Sequence, residues 1–128
     1  MPYGSNDWLA LTQEPTLEPD LPICDPHHHF WDNRPASFPY QRYLLHELND
    51  DIYSGHNVVS TVFLEARSMY SADVDEGLRS VGEIEFVQGL AAASASGTYG
   101  TSRAAAGIMG LSLIHISEPT RRYAISYA

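Results

Sequence analysis

Residues 57–66 read "NVVSTVFLEA", and from Val58 to Leu64 the run is almost unbroken β-branched and aromatic residue. Such side chains suit a pleated backbone, and a run with so little polar alternation is the pattern of a strand covered on both faces, as in parallel sheets. Parallel strands need long crossover connections, so helices are expected on either side. N-terminally, "QRYLLHELNDDIYSG" (residues 41–55) spaces Leu44, Leu45, Leu48 and Ile52 along one helical face and puts Gly55 at the C-cap. C-terminally, Ser80 and Glu83 form an S-x-x-E capping box, after which Ile84, Val87, Leu90 and Ala91 recur at helical spacing until Gly97.

Two further strands frame this unit. "LPICDPHH" (residues 21–28) is short and apolar at first, and its Pro26 requires an edge position or a strand end. "RAAAGIMG" (residues 103–110) is a weaker third strand, "NRPASFPYQ" (residues 33–41) is loop, and the Pro- and acid-rich residues 1–20 form a solvated arm with no core. Strand, helix, strand, helix, strand predicts an α/β fold with parallel pairing.

The chain has 128 residues, 44% of them apolar, which is enough for one small domain with a modest core. Its formal charge of −9 disfavours nucleic acid and anionic membranes, because both require a basic surface. All seven basic residues are arginine. The N-terminal run has neither a basic leader nor an apolar stretch of signal-peptide or membrane-span length, so a cytoplasmic location is expected. Cys24 has no disulfide partner, and its neighbours Leu21 and Ile23 predict a small buried hydrophobe.

The character changes at Leu111. "LSLIHISEPTR" (residues 111–121) resembles the translation of a transposase sequencing adapter, and "ISYA" (residues 125–128) the primer that follows its index. The expectation is a reading frame cut at Gly110, with residues 111–128 a non-native tail. Setting aside Arg121, Arg122, Glu118 and His115 leaves the rest strongly acidic.

"ICDPHHHFWD" (residues 23–32) carries the chemistry. Alternate strand residues share a face, so Asp25, His27 and His29 should point one way and His28 the other. Two imidazoles at i and i+2 make half of a divalent metal site, since catalytic zinc takes three protein ligands and keeps one position open. Hydrogen-bonded structural histidines fit the same spacing. His28 is expected to pack or bond against the helix layer, and His46 and His56 to be solvated or capping. Asp25 would either anchor an imidazole or, as preferred here, bond local backbone in a turn.

"DPHHHFWD" directly after a short apolar strand resembles the first-strand signature of the amidohydrolase superfamily, and more narrowly its amidohydrolase 2 branch, which includes sugar and dicarboxylate lactonases. "GHNVVSTVFLEARSMY" and "VGEIEFVQGLAAASASGTYG" resemble that branch's second strand and second helix, so the likeness covers residues 22–110. It implies the N-terminal part, about three strand-helix units, of a (β/α)8 TIM barrel, a fold of about 250 residues when complete. By the same resemblance His27 and His29 line the active site as catalytic and metal-binding residues. The remaining histidines and an eighth-strand aspartate would lie beyond Gly110. A divalent metal, zinc first, would acidify water and polarise the scissile carbonyl, although metal-free lactonases exist in the branch.

Glu65, Arg67 and Tyr70 follow the second strand, on the side where barrels carry catalytic loops, and Arg67 with Glu65 would bind a carboxylate-bearing small-molecule substrate. An exposed Glu-Arg pair without function is the alternative. The implied activity is hydrolysis of a lactone, other cyclic ester or C–N bond by the intact parent. Decarboxylation or hydration within the superfamily is the alternative, and the 128-residue chain alone is expected to be inactive.

Overall fold

The computed structural model describes residues 4–110 and the backbone of residues 125–127. Most of the tail read as adapter, residues 111–124 and 128, therefore lies outside the described residues. The fold is mixed α/β. In chain order it comprises α1 (Asn6–Leu9), β1 (Pro22–His28), α2 (Leu45–Ile52), β2 (Asn57–Leu64), α3 (Val81–Ala95), β3 (Arg103–Met109) and β4 (Ile125–Tyr127). Sheet order is β1-β2-β3-β4, with β1, β2 and β3 mutually parallel and β4 antiparallel to β3.

The parallel core of this sheet is what the 57–66 run predicts, but its coverage differs. Thr61 and Phe63 are fully buried, whereas Val59 is 43% exposed and Val62 and Leu64 are half-buried. Helices cover one face of the sheet among the described residues, so every second apolar position of β2 lacks a full cover. On the covered face Phe30 and Phe63 stack 5.8 Å apart, joined by Leu45, Leu48 and Ile52 of α2, Val87 and Ala91 of α3, and Ile108 of β3.

α2 is shorter than its pattern, starting at Leu45 and ending at Ile52, three residues before Gly55. Its first turn is held by Glu47, which accepts the Leu44 N–H at 2.9 Å and pairs with Arg42 at 2.7 Å. α3 matches its predicted periodicity and stops at Ala95, with Gly97 at φ +82 supplying the left-handed residue past its end.

The capping box expected at its start is absent. Ser80 is already helical at φ −63 and ψ −20, outside the extended geometry an N-cap hydroxyl needs, and its Oγ is buried without a partner. Glu83 instead turns toward the loop that follows β2.

Pro26 sits near the end of an edge strand, where its missing N–H costs no ladder bond. Cys24 is exposed, contrary to the buried position expected of it, because β1 is an outer strand covered on one face only. Among the described residues of the N-terminal arm none is buried; the arm coils into α1 and a 3-10 turn, and Asn6 accepts a 2.6 Å bond from the Tyr40 hydroxyl. Among the described residues no helix is long and apolar enough to cross a membrane.

Candidate functional site

β1 carries a bulge just before its histidines. Asp25 pairs with Thr61 and His28 with Phe63, so three steps on β1 face two on β2. The bulge takes Asp25 out of the shared face predicted for it. Its carboxylate accepts the His27 N–H at 3.1 Å, a bond to local backbone, though within β1 and not in the turn expected for it.

His27 and His29 converge. Their Nε2 atoms stand 3.2 Å apart, with the rings edge-to-face at 5.0 Å. The Nδ1 of His29 lies 2.7 Å from the carbonyl oxygen of Leu64 at the end of β2. A carbonyl only accepts, so this bond places the proton of a neutral His29 on Nδ1 and leaves the Nε2 lone pair facing His27.

Two nitrogens bound to one tetrahedral zinc at the usual Zn–N distance stand about 3.3 Å apart, and a carbonyl or carboxylate on the far nitrogen is the customary support of a metal-ligating histidine. The pair therefore fits two adjacent donors of a divalent ion. Without an ion, the same distance suits one N–H···N bond from His27 to His29. No group of three or more His, Cys, Asp or Glu side chains that could hold a metal occurs among the described residues.

His28 points the other way and is 7% exposed. Its ring meets Phe30 edge-on at 4.8 Å, and its Nε2 lies 2.8 Å from the Thr61 hydroxyl. That hydroxyl also accepts the Ala105 N–H at 2.9 Å, so its proton is available to His28. Burial holds the His28 pKa far below its ordinary value, down to about 4 from 6.5. His46 and His56 are exposed, His46 lying edge-on to Tyr99 at 5.3 Å.

A cleft of about 510 Å³ opens beside His29, bordered by Trp31, Arg34, Tyr40, Tyr43 and Asp51. The Tyr43 hydroxyl donates to Asp51, and burial followed by that bond raises its pKa. The Arg34 guanidinium lies over the rings of Phe38 at 5.1 Å and Trp31 at 5.9 Å, and its Nε is buried without an acceptor.

Neither Glu65 nor Arg67 lines this cleft. Glu65 accepts the Tyr70 hydroxyl, and its N–H bonds the Met109 carbonyl at 2.9 Å. Arg67 is exposed, and among the described residues its guanidinium makes no ion pair or hydrogen bond with either histidine of the pair. Sequence reasoning passed over three groups here: the Leu64 carbonyl, which no side-chain pattern announces; Arg34, inside a segment read only as loop; and Glu83, whose spacing from Ser80 suggested a different partner.

Comparison with known proteins found no matching family model, no matching characterised protein and no matching solved structure.

Proposed function

We propose that residues 22–110 are the opening strand-helix units of an amidohydrolase-type (β/α)8 barrel, and that His27 and His29 supply two donors to a divalent metal, zinc by preference. The observation that carries this reading is the 3.2 Å approach of the two Nε2 atoms, with the His29 tautomer fixed by Leu64. The half-covered sheet face supports it too, since in a barrel that face looks inward onto layers of side chains from the other strands. A bound ion would supply Lewis-acid polarisation of a carbonyl and acidify water.

The chain's own residues hold and orient. His27 and His29 set two donor directions, and the cleft beside His29 gives a small molecule an aromatic wall with one guanidinium beside the carboxylates of Glu47, Asp50 and Asp51. Arg34, rather than Arg67, is therefore the group this reading assigns to an oxygen acceptor on the substrate, including a carboxylate. In the intact parent the reaction is hydrolysis of a lactone, cyclic ester or C–N bond. With two donors of its own, the 128-residue chain is assigned no turnover.

The test is calorimetric titration of the chain with Zn²⁺. One equivalent should bind, and His27→Ala or His29→Ala should each weaken binding at least about tenfold while His46→Ala leaves it unchanged. Equal, weak binding in all four proteins refutes the proposal.

A further inference from the structure

Glu83 lies in the first turn of α3 and is fully buried, yet no cation pairs with it among the described residues. Its carboxylate is spent on the loop after β2. Oε1 accepts the Ala66 N–H at 2.9 Å and lies 3.3 Å from Ser68 Oγ, while Oε2 accepts the Arg67 N–H at 3.0 Å. Ser68 Oγ also donates to the carbonyl of Phe30, the residue after His29, at 3.0 Å. A hydroxyl has one proton, and the shorter contact takes it, so Ser68 ties the loop to the main chain just past β1 while Glu83 holds the loop amides.

The loop needs such a clasp. Arg67 and Met69 adopt φ +63 and +53, a left-handed conformation that costs a side-chain-bearing residue on the order of 1 kcal/mol and persists only where surroundings over-determine it. This same loop begins at the peptide that sets His29. The Leu64–Glu65 amide plane gives its N–H to Met109 on one side and its C=O to His29 Nδ1 on the other, and Glu83 fixes the next two N–H groups along the chain.

We propose that Glu83 is a positioning residue for His29. Through the Ala66 and Arg67 amides it holds the Leu64 carbonyl in line with His29 Nδ1, while Ser68 of the same loop separately ties that loop to the main chain at Phe30, so that one tautomer with Nε2 free is kept. The inference rests on the metal reading only for its consequence in affinity, because the effect on the tautomer stands without any ion.

The experiment combines ring ¹⁵N shifts of His29 in the metal-free chain with Zn²⁺ titration. Wild type should show the Nδ1–H form alone. Glu83→Ala should give a mixture of both tautomers and a loss of Zn²⁺ affinity of about tenfold or more, the scale known for groups supporting a metal-ligating histidine. Glu83→Gln, which keeps a carbonyl acceptor, should restore most of the single form. Val87→Ala, equally buried in α3 but apolar, should lower stability and leave the tautomer alone.

Should Glu83→Ala not fold, Ser68→Ala removes the second tie on the same loop and should shift the tautomer in the same direction by a smaller amount. A single Nδ1–H tautomer in Glu83→Ala, or in Ser68→Ala where only that variant folds, overturns the proposal even if Zn²⁺ binds. A tautomer change in a chain that binds no Zn²⁺ sinks the metal reading and upholds this one.

Discussion

Protonating His28 should loosen the fold by an amount that can be worked out. The ring is neutral in its aromatic niche with a pKa of about 4, against 6.5 when exposed in the unfolded chain. The unfolded state therefore takes up a proton first as pH falls, and stability is fully present above 6.5 and lost from there down towards 4. At about 1.4 kcal/mol per pH unit, the loss is about 2 kcal/mol by pH 5 and about 3 kcal/mol at pH 4. Set against the 5–15 kcal/mol typical of small domains, that is a large fraction.

The assay is urea unfolding of the metal-free chain between pH 8 and pH 4, with His28→Leu as reference to subtract every other titrating group. The difference in unfolding free energy between the two proteins should fall by about 3 kcal/mol across that range. A direct proton-NMR titration should place His28 near 4. A difference curve that stays flat, or a His28 resonance titrating near 6.5, would show that the ring is not held neutral by burial and that its contacts with Phe30 and Thr61 are misassigned.

Other substitutions test other parts of the construction. Thr61→Val removes the hydroxyl shared by His28 and the Ala105 N–H, and should cost about 2–3 kcal/mol in urea unfolding because two buried groups lose their partner. Phe63→Ala empties a fully buried position stacked on Phe30 and should cost about 3–5 kcal/mol or prevent folding, read by circular dichroism. Gly82→Ala would put a methyl 2.7 Å from both the Met69 carbonyl and the Ser71 nitrogen, so α3 must back away from the loop. A melting temperature lowered by several degrees is expected, equivalent to about 1–3 kcal/mol.

Glu83 gives a pH effect opposite in sign to that of His28. Burial, the largest influence, raises its carboxyl above the ordinary value even though the loop amides pull the other way. Its contribution is thus complete below the ordinary 4.5 and lost as pH rises past the raised value. Glu83→Gln should remove that component from a stability–pH curve, and a curve unaltered above pH 4.5 would contradict it.

The sheet was legible because its signal is local and strong. A run such as Val58 to Leu64 has no comfortable helical alternative, and the spacing of Leu45, Leu48 and Ile52 leaves one buried face to choose. The alternation of His27, His28 and His29 was legible for the same reason, since strand geometry alone sends neighbours to opposite sides. Asp25 escaped that rule because a bulge inserts a residue, which depends on pairing with β2 rather than on β1's own sequence. Cys24 and Val59 were misjudged because their burial depends on a covering layer that local pattern does not reveal. Glu83 was recognised as special and given the wrong partner. The S-x-x-E spacing is satisfied by many loops, and what decided the matter was how closely Gly82 lets α3 approach residues 69–71.

One amide plane at the end of β2 joins two tasks that are usually separate. Since the group steering His29 and the group pairing with Met109 are opposite ends of a rigid unit, a small rotation of β3 turns that plane and swings the imidazole with it. On the proposed metal reading, affinity at the histidine pair would be tuned from a strand that never touches it, and a chemically silent exchange in residues 103–109 would change ligand binding by tilting one peptide a few degrees.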